Sequence, residues 1–210
     1  MLAPSLDVVL TAPLLKTSIP SMAPRSSVAP TVRRFTQDEY YRMAEAGLFC
    51  DERVELLDGE IITMSPQLTP HAFTVNCLMY ALITKLGSTA LVRVQAPIVL
   101  NNWSEPEPDL AVCQPDPGRY RQAHPRADQV LLVIEVADSS LTYDRTRKAQ
   151  AYAASGIPEY WIVNLIDRQV EVLTDPDPGA QRYQQQRDAS TSDVLPLPGG
   201  SMIAAADILL

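Results

Sequence analysis

Two carboxylates set among apolar residues constrain this chain more than any other feature. Glu107-Pro108-Asp109-Leu110-Ala111-Val112 and Val130-Leu131-Leu132-Val133-Ile134-Glu135-Val136 each place one acid against a short run of the kind that forms a buried strand. A carboxylate there must be paired, hydrogen-bonded or bound to a metal, because burying it alone is costly. The fold must therefore bring compensating groups to both strands, and the pair of acids suggests a divalent-metal site.

The 210 residues fit one ordinary domain plus a tail, and a hydrophobic share of 46% supports a substantial core. With 17 basic residues against 25 acidic ones, the net charge of -8 argues against generic polyanion binding, although a local basic patch can still hold nucleic acid. No apolar run approaches the length of a membrane span, and the N-terminus lacks the pattern of a secretory signal. A soluble, cytoplasmic protein with no membrane partner is expected. Cys50, Cys77 and Cys113 lie far apart without paired spacing, and read as reduced packing residues.

Residues 1–31, rich in Pro, Ser and Ala, read as a flexible lead-in, which leaves 32–210 as the folded domain. Thr36-Gln37-Asp38-Glu39 is a capping box that opens a helix, with Gly47 as its stop. Two apolar-rich runs over 53–64, joined by Asp58-Gly59, read as a hairpin. Val75, Leu78, Met79, Leu82, Ile83 and Leu86 recur at helical spacing, with His71 in the first turn and Gly87 after the end. Strands are expected over 91–100 and around Asp109 and Glu135. A helix follows Asp138-Ser139-Ser140 and carries Asp144, Lys148 and Tyr152. A second hairpin joins 159–165 to 169–173. The 175–200 stretch, with its prolines and Gln184-Gln185-Gln186, reads as irregular, and the last ten residues as a short edge strand. Alternating helices and strands imply an α/β fold: a mixed β-sheet flanked by helices, with an N-terminal helix and a β-hairpin.

In this order the residues resemble the PD-(D/E)XK nuclease superfamily. More closely, Glu55-Leu56-Leu57-Asp58-Gly59-Glu60-Ile61, the His71 helix, Glu107-Pro108-Asp109-Leu110, Ile134-Glu135-Val136, Lys148 and Gly156-Ile157-Pro158-Glu159-Tyr160-Trp161 look like the Uma-type restriction endonuclease family, over most of 34–174. The resemblance implies a restriction-endonuclease-like fold and a phosphodiesterase that acts on DNA with Mg2+ or Mn2+. In such chemistry, carboxylates at strand ends hold the ion, which withdraws charge from the scissile phosphate and acidifies a water, while a lysine steadies the developing charge. Asp109 and Glu135 would be the ligands, the Val136 carbonyl would complete the shell, Lys148 would lie beside the nucleophile, and Glu55 would be an accessory metal ligand. The superfamily places its lysine two residues after the glutamate, where this chain has Ala137, so the resemblance requires Lys148 to reach the site from the next helix.

Each residue also has a purely structural reading. Asp109 could cap a turn, Glu135 could be a paired structural acid, and Lys148 could pair with Asp144 on a solvated helix face. Glu55 could be an exposed hairpin residue and His71 a hydrogen-bonded helix start in place of an accessory base; Tyr152 reads as packing. The basic loop containing Arg119, Arg121 and Arg126 would meet a phosphate backbone, with Arg145 and Arg147 extending the patch; the alternative is a solvated loop. By analogy a homodimer is expected. Two rivals stand beside a DNA endonuclease: a catalytically silent nucleic-acid-binding or assembly module, and a hydrolase of another phosphate ester.

Overall fold

Thr36 opens the first helix, as its spacing to Glu39 dictates. In the computed structural model, which describes residues 31–209, the Thr36 hydroxyl accepts from the Glu39 N–H at 3.3 Å and the Glu39 carboxylate accepts from the Thr36 N–H at 3.0 Å. This capping box opens helix α1 (Gln37–Glu45). The expected lead-in over 1–31 lies outside the described residues but for its final position. From Arg33 onward the chain forms one unit.

Strands β1 (Val54–Leu57) and β2 (Glu60–Thr63) form the expected hairpin. Asp58 and Gly59 both have positive φ, 51° and 75°, as a type I′ turn requires. Helix α2 (Thr69–Leu86) buries Val75, Leu78, Leu82 and Leu86 along one side. The main sheet has six strands in the order β3 (Leu91–Val94), β4 (Leu110–Cys113), β5 (Val130–Ala137), β6 (Glu159–Asn164), β7 (Gln169–Asp177) and β8 (Arg182–Ala189). Only the β5–β6 pair is parallel. A helical crossover joins β5 to β6: α3 (Leu141–Tyr143), a π turn (Asp144–Lys148) and α4 (Ala149–Ala154).

Alternation along the strands fills a core on each sheet face. Leu132, Ile134 and Val136 of β5 join Trp161 and Val163 of β6 and the buried side of α2. Val133 and Ala137 face the other way, with Tyr160, Ile162, Ala149 and Tyr152. Glu135 shares the parity of Val133 and Ala137, so β5 delivers it beneath the crossover helix.

Several expectations require correction. The strand foreseen over 91–100 ends at Val94, because Gln95 turns the backbone with φ 46°. The helix foreseen after Ser140 is three pieces around a π turn. The 175–200 stretch is not irregular: β7 runs on to Asp177, and β8 pairs with it along the Gln184-Gln185-Gln186 run. A wet edge strand has no apolar face for a period-two pattern to reveal, and β7 supplies its pairing instead. The C-terminal strand β10 (Met202–Ala204) pairs with β9 (Val194–Pro196) in a separate ribbon and does not edge the main sheet. Cys113 is buried, its thiol pushed up to about 12 by that burial, but Cys50 is exposed and does not pack. Among the described residues no helix is long and apolar enough to cross a membrane.

Candidate active site

A cavity of about 300 Å3 opens between the chain leaving β2, the first turn of α2, the approach to β4, the end of β5 and the π turn. Glu55, His71, Asp109, Glu135, Val136 and Lys148 all line it, together with Tyr143 and Asp144.

Asp109 and Glu135 are fastened to each other through the backbone. The Asp109 N–H donates to Glu135 Oε2 at 3.2 Å, and the Val136 N–H donates to Asp109 Oδ2 at 2.9 Å. This exchange is possible because β4 and β5 are antiparallel neighbours, with Leu110 opposite Ile134. Glu135 Oε1 accepts from Lys148 Nζ and from the Tyr152 hydroxyl, both at 2.8 Å. Lys148 Nζ lies 3.4 Å from Glu55 Oε2, which also accepts from the Glu107 N–H at 3.0 Å. His71 Nε2 stands 3.0 Å from Asp109 Oδ2, and the Gln95 side chain donates to Asp109 Oδ1 at 3.2 Å.

Lys148 and Glu55 are not the solvent-exposed residues of their structural readings. Lys148 is 5% exposed and bonds Glu135 where a solvated pairing with Asp144 was one expectation. Asp144 accepts from Ser140 Oγ at 2.6 Å and sits on the same cavity wall. Glu55 is 2% exposed, so it is no surface hairpin residue. Tyr152 packs as expected and also bonds Glu135. The sequence reading missed Gln95 and Asp144 as members of the cluster. Asp144 had left a trace in its i,i+4 spacing to Lys148; Gln95 left none, since it sits inside what read as a strand.

Electrostatics follow from burial. Desolvation pushes Glu135 up, Lys148 pulls it down, and the carboxylates of Asp109, Asp144 and Glu55 push it up further, leaving it above the ordinary glutamate value. Burial alone would lower the Lys148 ammonium, but Glu135, Glu55 and Asp144 overcome this and hold it well above the ordinary lysine value. Burial raises Asp144 to about 6 against the pull of Lys148. At Asp109 burial also acts upward, yet the hydrogen bond and charge of His71 win and depress it; the same contact raises His71 against its own burial.

Among the described residues no group of three or more His, Cys, Asp or Glu side chains converges as a metal cage. The donor chemistry still fits a hard divalent ion. Four buried carboxylates, Glu55, Asp109, Glu135 and Asp144, face one ammonium and one imidazole, and Mg2+ commonly takes only one or two carboxylates with water in the remaining positions.

The basic loop is not part of this cavity. Arg119, Arg121 and Arg126 are exposed, in the segment that joins β4 to β5 and folds back so that Arg126 bridges Val99. Arg145 and Arg147, expected to extend the basic patch, are bound to Glu171 and Glu60.

Comparison with known proteins matches residues 37–205 to the Uma2 family model, described as a putative restriction endonuclease. The fold resembles a solved structure of a putative nuclease belonging to DUF820 from Anabaena variabilis ATCC 29413, at 14% identity and a TM-score of 0.63, over 83% of this chain and 97% of that one. No curated protein matches the chain.

Proposed function

Because the chain belongs to the Uma2 family of putative restriction endonucleases, we propose that it is a divalent-metal-dependent endonuclease that hydrolyses DNA phosphodiester bonds in the Asp109–Glu135–Lys148 cavity. One observation carries this reading: a buried lysine is held 2.8 Å from Glu135 on the wall of a cavity that Asp109 and His71 also line. A lysine meant only for the surface would not be buried at the cost of its hydration.

Asp109 and Glu135 would hold Mg2+ or Mn2+, with the Val136 carbonyl as a further oxygen. When bound, the ion supplies charge neutralisation at the scissile phosphate and a more acidic water. The remaining work falls to the chain. Lys148, kept cationic by its carboxylate neighbours, offers fixed positive charge to the phosphate oxygens as water attacks phosphorus and the bond to the leaving oxygen breaks. Glu55 holds that ammonium from the hairpin side, and the Tyr152 hydroxyl fixes Glu135 from the crossover helix. His71 and Gln95 orient the two oxygens of Asp109, so the carboxylate is positioned before substrate arrives.

The test is incubation of purified protein with plasmid and with single-stranded DNA in Mg2+, in Mn2+ and in EDTA. Cleavage that requires either metal and is lost in Asp109→Asn is expected. Intact DNA under every metal condition would overturn the proposal.

A further inference from the structure

A second depression, of about 480 Å3, shares no lining residue with the acidic cavity. Tyr41 of α1 borders it, as do Tyr120, Arg121, His124 and Arg126 of the β4–β5 loop. Several of these groups are held in place. The Tyr120 N–H donates to Asp116 at 2.8 Å, its hydroxyl donates to the Gln114 carbonyl at 2.9 Å, and the Arg93 guanidinium lies 5.9 Å from its ring centre. His124 sits 3.2 Å from Arg93 through Nδ1 and 3.8 Å from the buried carboxylate of Glu105 through Nε2. Tyr41 and Gln37 also donate to Glu105. Arg121 and Arg126, by contrast, are exposed.

Fixed aromatic rings beside exposed guanidinium groups suit a particular ligand. Arginines meet phosphate, and tyrosine rings stack on bases that are not paired within a duplex. In a chain of net charge -8, a phosphate backbone needs such a local cationic foothold. The foothold also lies within reach of the proposed chemistry. Glu105 beneath the depression and Asp109 in the acidic cavity are four residues apart, so their backbones are separated by at most about 14 Å.

We infer that this depression is a subsite for an unpaired nucleotide of the strand cut in the acidic cavity, with Arg121 and Arg126 on its phosphate and Tyr41 and Tyr120 against its base. The inference rests on the nuclease reading. Arg119, outside both linings, takes no part in it.

Fluorescence anisotropy with an oligothymidylate of about twelve nucleotides, in EDTA, provides the test. Arg121→Ala combined with Arg126→Ala should weaken binding about tenfold and reduce the slope of log K against log salt by about 1.4, from about 0.7 per phosphate contact. Tyr41→Leu should weaken binding while Tyr41→Phe retains it, whereas Arg119→Ala should change little. Hydrolysis of bis-p-nitrophenyl phosphate, too small to span both sites, is followed in parallel with metal present. It should proceed equally in wild type and in the double arginine variant. Unchanged oligonucleotide affinity and salt slope in that variant would overturn the subsite, whatever the diester assay gives. Subsite-dependent binding by a protein that hydrolyses no diester would uphold the subsite as a nucleotide-binding surface and overturn the nuclease reading on which its catalytic placement rests.

Discussion

Lys148 holds its charge on the buried wall of the cavity, between Glu135 and Glu55, so its removal deprives two carboxylates of their cationic partner. Lys148→Ala should abolish DNA cleavage and destabilise the fold by about 3 to 5 kcal/mol at neutral pH. The penalty has a defined pH dependence. Without the ammonium, the buried acids keep protons that the unfolded chain would release, so the folded variant binds more protons and loses stability as pH rises above the ordinary carboxylate range. Chemical denaturation at about pH 5 and about pH 8 should therefore show the smaller deficit at the lower pH. His71 and Asp109 titrate in senses opposite to each other. His71 is raised, so its contribution is complete below its unfolded value of about 6.5 and is lost as pH rises through the folded one; Asp109 is depressed, so its contribution is present above about 3.9 and is lost as pH falls through the folded value. His71→Gln should accordingly cost more stability at about pH 5.5 than at about pH 9, and equal costs at both would mean the contact does not persist in solution.

The crossover between β5 and β6 does more than connect parallel strands. In a regular α-helix, residues spaced by four drift about 40° per step, so Asp144, Lys148 and Tyr152 would fan away from one another. The π turn widens the backbone over Asp144–Lys148, and all three side chains end up buried on the sheet side. The same turn sends Arg145 across to β7, where Nε and Nη2 meet Glu171 at 2.9 and 2.6 Å, and Asn164 of β6 adds a third bond at 2.8 Å. Arg145→Ala should cost about 2 kcal/mol by urea denaturation, since Glu171 stays buried with a partner lost and Arg145 itself is partly exposed. Burial raises Glu171, but Arg145 and Asn164 prevail and depress it, so this contribution is present above the ordinary glutamate value and is lost as pH falls through the folded one. Variant and wild type should converge as pH falls through that depressed value.

At the scale of the whole molecule, the buried core draws, among the described residues, on those from Val54 onward. A chain shortened to begin at Val32 should keep its melting temperature within about 2 °C in calorimetry, and a larger fall would show that the lead-in contributes to the fold. The residues themselves determined much of what surrounds that core. Thr36 and Glu39 specify a helix start, Asp58-Gly59 a tight hairpin, and the apolar runs around Asp109 and Glu135 two buried strands, because capping, turn chemistry and burial periodicity each act within a few positions. The order of Glu55, Asp109, Glu135 and Lys148 carried the family resemblance for the same reason. Which groups meet was decided by the tertiary structure. His71 reaches Asp109 across 38 positions and Tyr152 reaches Glu135 across 17, while the arginine loop that lies between the two acids in sequence lends no residue to the cavity they line. The polar strand β8 exists because β7 lies alongside it and offers a ladder. Local physics sets each element, but the partners of a buried charge depend on how distant parts of the chain are brought together, and no local pattern records that.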